Sequence, residues 1–149
     1  MNLESAKKML SLLQEQYPII LGGPFGFGKH TMLVSFAEEN NLSMANIDLR
    51  EATTDDIFGF RTISGFTTPI WWEKDILYFN RLEKINRSVL ASLCGVIHVD
   101  YSTGDRYING SPLRKNQRIV FGLNINLDLN SLSFDPIFWS KCSIINIGE

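Results

Sequence analysis

Ile20-Leu21-Gly22-Gly23-Pro24-Phe25-Gly26-Phe27-Gly28-Lys29 decides the reading of this chain: a short apolar run breaks into four glycines and a lysine, then opens an apolar-periodic segment. A strand that ends in such a loop and feeds a helix can cradle phosphate. Glycines let consecutive backbone N–H groups point inward without a Cβ clash, while the lysine and the positive end of the following helix meet the phosphate charge. Gly23 to Lys29 keeps the G-x-x-x-x-G-K spacing, but His30 stands where a Ser or Thr hydroxyl normally holds Mg²⁺. Behind the lysine, Met32, Leu33, Phe36 and Ala37 recur at helical spacing, which sets this loop apart from a turn that needs glycine for backbone reasons alone. The candidate phosphate-contacting residues are Gly23, Pro24, Phe25, Gly26, Phe27, Gly28, Lys29, His30 and Thr31.

Outward from the loop, Tyr17 to Leu21 is the first strand and Lys29 to about Glu39 the helix that covers it. Leu3, Ala6, Leu10 and Leu13 make Met1 to Gln16 an amphipathic opening helix. Ala45 to Leu49 reads as a second strand, and Thr53-Thr54-Asp55-Asp56 starts a short helix ending near Gly59. A loop follows from Thr62 to Pro69, then the pair Trp71-Trp72. Ile76-Leu77-Tyr78-Phe79 has the continuous apolar character of a strand buried on both faces. Leu82, Ile85, Val89, Leu90 and Leu93 predict a helix. Ile97, Val99 and Tyr101 alternate with polar residues, turn through Ser102-Thr103-Gly104-Asp105 and return along Tyr107-Ile108, a hairpin pattern. Ile119 to Leu123 and Ile144 to Ile147 are further strands, separated by a helix over Phe134 to Lys141. The expected fold class is α/β: a mostly parallel sheet flanked by helices, with a β-hairpin insertion and the glycine loop at the carboxyl end of a strand.

With 149 residues, 44% of them apolar and 20% charged, the chain suits one domain with a real core, residues 1–149. A net charge of −2 supplies no basic field for direct nucleic-acid binding. No run reaches membrane-spanning length, and the opening helix lacks the apolar core of a signal peptide. Cys94 and Cys142 lie far apart in apolar segments without metal-ligand spacing, which reads as buried free thiols of a cytoplasmic protein.

These features together resemble the AAA+ ATPase core, and within it the central domain of sigma-54-dependent transcription activators. Ile57-Phe58-Gly59 is similar to the Leu-Phe-Gly of those activators, and Ser64-Gly65-Phe66-Thr67-Thr68 to the Gly-Ala-Phe-Thr-Gly-Ala loop that touches the sigma factor. Arg118 to Asn124 resembles their sensor strand, with Asn124 at the sensor position, and Phe134 to Lys141 their arginine-finger segment. A non-hydroxyl residue after the loop lysine, here His30, is common among them. The resemblance implies ATP or ADP as ligand, and a sigma factor or like AAA+ subunits in a homo-oligomer as partners.

Departures from the pattern carry equal weight. The resemblance requires Asp-Glu, the Walker B pair, after Ile76-Leu77-Tyr78-Phe79, where this chain has Asn80-Arg81. Asn80 is a poor partner for a hard dication, and Arg81 cannot accept a proton, so Mg²⁺ binding and hydrolysis are expected to be impaired. Arg81 is a candidate to neutralise phosphate oxygens in place of the metal. Asp100 is the alternative Walker B acid, although Tyr101 then stands where Glu belongs. Lys141 and Asp135 occupy arginine-finger places, and the chain ends without the family's helical lid or helix-turn-helix. The leading expectation is a degenerate regulator of bacterial transcription. An active ATPase module of MoxR-like type and a structural interaction domain are the alternatives. Plainer readings stand beside the sharp ones: His30 covering the first helical turn, His98 on a solvated face, Trp71 and Trp72 filling space, Asn124 as a strand-end turn residue, and Asp55 and Asp56 as helix-start residues.

Overall fold

The computed structural model describes residues 2–15, 17–24, 26, 28–100, 102–124, 138 and 141–147, with Phe66 described in its backbone alone. Five strands form one sheet: β1 (Ile19–Gly22), β2 (Met44–Asp48), β5 (Ile76–Asn80), β8 (Arg118–Leu123) and β9 (Ser143–Asn146). Their order is β2-β5-β8-β1-β9, and every neighbouring pair is parallel. This is the α/β fold expected from the alternation of apolar runs and helical segments.

Side chains alternate across the sheet as a strand's period of two requires. Ile20, Leu77, Phe79, Ile119, Phe121 and Leu123 enter one core with Val89, Leu90, Leu93 and Val96 of helix α4 (Arg87–Val96). Ile19, Leu21, Ile76, Tyr78 and Val120 enter the other with α1 (Leu3–Leu12) and α2 (Lys29–Glu39). Asn2 starts α1 by accepting the Ser5 N–H at 2.8 Å. Arg118 holds the other end of α1, donating to the carbonyls of Leu10 at 3.0 Å and Leu13 at 3.4 Å, where cations suit a helix terminus.

Thr53 and Asp56 form a reciprocal capping box on α3 (Thr54–Phe58), the role read for this segment. Trp71 and Trp72 stack at 4.9 Å, and the Trp72 indole N–H donates to the Ile57 carbonyl in the core, so this pair does fill space.

Three elements differ from expectation. The stretch from Thr62 to Pro69, expected as a loop, holds the turn and second strand of a hairpin, β3 (Phe60–Thr62) with β4 (Gly65–Thr67), whose short strands give too little alternation to register in sequence. The Thr67 hydroxyl donates to the Phe60 carbonyl at 3.1 Å and fixes its base. The helix predicted from Leu82 is split into a 3-10 turn (Leu82–Lys84) and α4, because Arg81 enters the left-handed region at φ 63 and Asn86 restarts the helix by capping the Ser88 N–H.

The later hairpin pairs β6 (Tyr107–Ile108) with β7 (Ser111–Pro112), not with Ile97 to Val99. Ile97 instead closes α4, and Asp100 accepts from the N–H and hydroxyl of Ser102 at 2.9 and 2.7 Å. These local side-chain bonds favour a turn over a strand, so Asp100 does not end a strand of the parallel sheet. Of the predicted Phe134 to Lys141 helix, Phe138 and Lys141 are described, and the rest, with Asp135, lies outside the described residues. Cys94 and Cys142 are half-buried thiols that form no disulfide. Among the described residues no helix is long and apolar enough to cross a membrane.

Candidate functional site

The glycine loop runs from the carboxyl end of β1 to the first turn of α2, beside the ends of β8 and β9. Gly23 donates to the Leu123 carbonyl at 3.1 Å, and Gly22 accepts the Ile147 N–H at 2.7 Å. A Cβ on Gly23 would lie 2.5 Å from the Ile147 carbonyl oxygen, so this approach requires glycine. Gly28, the residue before α2, adopts φ 81 and turns the chain into the helix. The first N–H groups of α2 have no partners within the helix and carry its partial positive charge.

Lys29 is 5% exposed. Its ammonium folds back on the loop, donating to the Gly23 carbonyl at 2.7 Å and the Pro24 carbonyl at 3.1 Å. Burial pulls its pKa below the ordinary value, and the Glu83 carboxylate opposes that shift. Pro24 is half-buried, while Gly26, His30 and Thr31 are exposed. Phe25 and Phe27 lie outside the described residues.

At the tip of β5, Asn80 and Arg81 face different neighbours. Asn80 accepts the Arg81 N–H at 2.9 Å and the Tyr78 hydroxyl at 3.4 Å through one oxygen. Arg81 reaches sideways to the end of β2, with Nε 3.4 Å from Asp48 Oδ2. That carboxylate also faces Arg50 at 3.4 Å. Arg81 is therefore paired on the β2 side of the tip, away from β1 and its loop. Asn124 follows β8, and its backbone N–H donates to Glu83 Oε1 at 2.7 Å.

Glu83 and Tyr78 are the participants that sequence reasoning missed. Glu83 falls inside the segment whose apolar spacing predicts a helix; an acid within the first turn past a strand tip is the signal for it. Tyr78 was counted as part of an apolar run. Its ring lies 5.9 Å from that of His30 at 28°, and burial, followed by Glu83, pushes its pKa up to about 12. Gly122 opposite has no side chain, and a Cβ there would come within 2.9 Å of Asn80 Oδ1 and overlap the Tyr78 hydroxyl.

The loop fits phosphate, since it joins a lysine to a glycine cradle and a helix N-terminus. The His30, Asn80 and Asp48 side chains do not suit Mg²⁺. His30 offers no oxygen, the Asn80 oxygen already accepts two hydrogen bonds, and Asp48 is paired with arginines. Among the described residues no three His, Cys, Asp or Glu side chains form a group that could hold a metal.

Fold and loop together define an α/β protein with a parallel sheet and a glycine-bearing loop between its first strand and the following helix. The chain is similar to NtrX from Brucella abortus in two crystal structures. That in complex with ADP gives a TM-score of 0.67 at 14% identity, covering 97% of this chain and 34% of that one. That in complex with ATP gives 0.66 at 14% identity, covering 98% and 34%. The likeness is one of fold, and the chain spans about a third of the length of the structures it matches. No protein-family model and no curated protein matches it.

Proposed function

We propose that this chain is an AAA+ domain of the sigma-54-activator type that grips the phosphates of ADP or ATP and does not hydrolyse ATP at a useful rate. The observation that carries the reading is the buried Lys29 ammonium inside the Gly23 to Lys29 loop, at the carboxyl edge of a parallel sheet. Support comes also from the likeness of fold to NtrX, which was crystallised with ADP and with ATP. Failure to hydrolyse follows from Asn80 and Arg81 in the Walker B place: one is uncharged, and the other is a permanent cation held by Asp48.

The role is regulatory and acts through protein contacts, with a sigma factor or like subunits as partners. The β3–β4 hairpin suits such contact, because Ile63 at its turn is fully exposed and Phe60 at its base is 56% exposed. A second reading, a non-binding interaction domain, is favoured by the Lys29 contacts to Gly23 and Pro24, which nucleotide must displace. Calorimetric titration with ADP and ATP, each with Mg²⁺ and with EDTA, tests both. Binding that persists in EDTA and is lost in Lys29→Ala supports the proposal. No binding at millimolar nucleotide favours the second reading. Brisk ATP hydrolysis abolished by Lys29→Ala overturns both.

A further inference from the structure

We propose that Glu83 sets the nucleotide preference of the loop, favouring a nucleoside diphosphate over the triphosphate. The inference rests on the phosphate-loop reading and deepens it. Glu83 Oε1 accepts the Asn124 N–H at 2.7 Å; the preceding residue, Leu123, takes the Gly23 N–H on its carbonyl at 3.1 Å; and Gly23 in turn accepts from Lys29 Nζ at 2.7 Å. Carboxylate and ammonium thus flank one backbone junction at the mouth of the loop. Their mutual influence is seen in the direction in which Glu83 shifts Lys29.

A loop lysine of this kind reaches the β- and γ-phosphates. A γ-phosphate adds negative charge at the outer reach of that lysine, on which Glu83 already acts, and ADP lacks that charge. The Glu83 carboxylate is tethered by the Asn124 N–H at 2.7 Å, and the 3-10 turn that carries it is closed by the Lys84 N–H on the Arg81 carbonyl at 3.0 Å. Arg81, which could have offset the repulsion, is paired with Asp48. His30 and Asn80 carry no anionic oxygen with which to hold a dication between the two anions. Added like charge beside a half-buried carboxylate then discriminates by about tenfold.

The test titrates ADP and ATP in EDTA against the wild-type chain, Glu83→Gln and Lys29→Ala. Glu83→Gln keeps an oxygen to accept the Asn124 N–H and removes the charge. We expect wild type to bind ADP about tenfold tighter than ATP, and Glu83→Gln to bring the two within about threefold, mainly by tightening ATP. Equal affinities in wild type, or a ratio unchanged in Glu83→Gln, overturn the inference and leave the loop reading intact. Binding that survives Lys29→Ala, or no binding in wild type, overturns the loop reading and the inference with it. A measurement on wild type alone covers a variant that does not fold: the ADP preference must shrink as KCl is raised, and a ratio constant from low to high salt refutes an electrostatic origin.

Discussion

Raising the pH should withdraw stability through Tyr78, and the structure fixes both the sign and the window. Burial, then the Glu83 charge, moves this phenol from its ordinary 10.0 up to about 12. The folded chain therefore keeps a proton that the unfolded chain releases between those values. The contribution is complete below pH 10 and is lost as pH rises towards 12. A displacement of this size corresponds to about 3 kcal/mol, a large part of the margin of an ordinary domain.

Other groups titrate in the same range. Cys142 is pushed up to about 12 by burial, then by Cys94 against Lys141, and Arg106 is pulled down to about 10 by burial. The measurement is therefore a difference. Urea unfolding of wild type and Tyr78→Phe, compared from about pH 9 to 11, cancels what the two proteins share. Their stability difference should be constant up to pH 10 and then shift against wild type, by about 1.4 kcal/mol per pH unit once the window is open. Tyrosinate absorbance of Glu83→Gln should show the buried phenol titrating earlier. A stability difference that stays flat across the range refutes the buried placement of the Tyr78 hydroxyl.

Two substitutions probe how the site and the first helix are held. Gly122→Ala puts a methyl group against the Tyr78 hydroxyl and Asn80 Oδ1, an overpacking that should cost about 1–3 kcal/mol, read as a lowered melting temperature; an unchanged value refutes the close approach. Arg118→Met keeps an apolar stem over Phe36 but removes the donors to Leu10 and Leu13, and should lose about 1–2 kcal/mol with faster amide exchange across α1; unaltered exchange there refutes the anchoring role.

What the sequence disclosed follows from the range of the forces involved. Strands β1, β5 and β8 were legible because both faces are buried, which writes an unbroken apolar run into the chain. Helix α2 was legible end to end because Gly28 and the apolar spacing behind it are local signals. The β3–β4 hairpin was not, since three-residue strands leave no period to count. The Ile97 to Tyr107 pattern misled because the Asp100 and Ser102 side chains close a turn, a choice that alternation cannot express. At the site, the loop was readable from spacing. The partners of Asn80, Arg81 and Asn124 were not, since strand order decides them: β5 lies between β2 and β8, which gives Arg81 an acid from one neighbour and brings Glu83 under the end of the other.

That order also explains how charge is spread along the carboxyl edge. From β2 towards β1 come the Asp48–Arg81 pair, the uncharged Asn80 oxygen, the Glu83 carboxylate and the Lys29 ammonium. Rate enhancement in phosphoryl transfer needs cations aimed at the γ-phosphate, where charge redistributes in the transition state, and a base beside the attacking water. Here the arginine is spent on a neighbouring strand, and the acid nearest the loop is bound to a backbone N–H. On the proposed reading, the positive charge left facing phosphate is one lysine plus the helix dipole, which attract bound phosphate and transition state to a similar degree, and uniform attraction binds without accelerating. Introducing acids by Asn80→Asp with Arg81→Glu would therefore not by itself create turnover. It would set a new carboxylate against Asp48 and free no cation for the γ-phosphate.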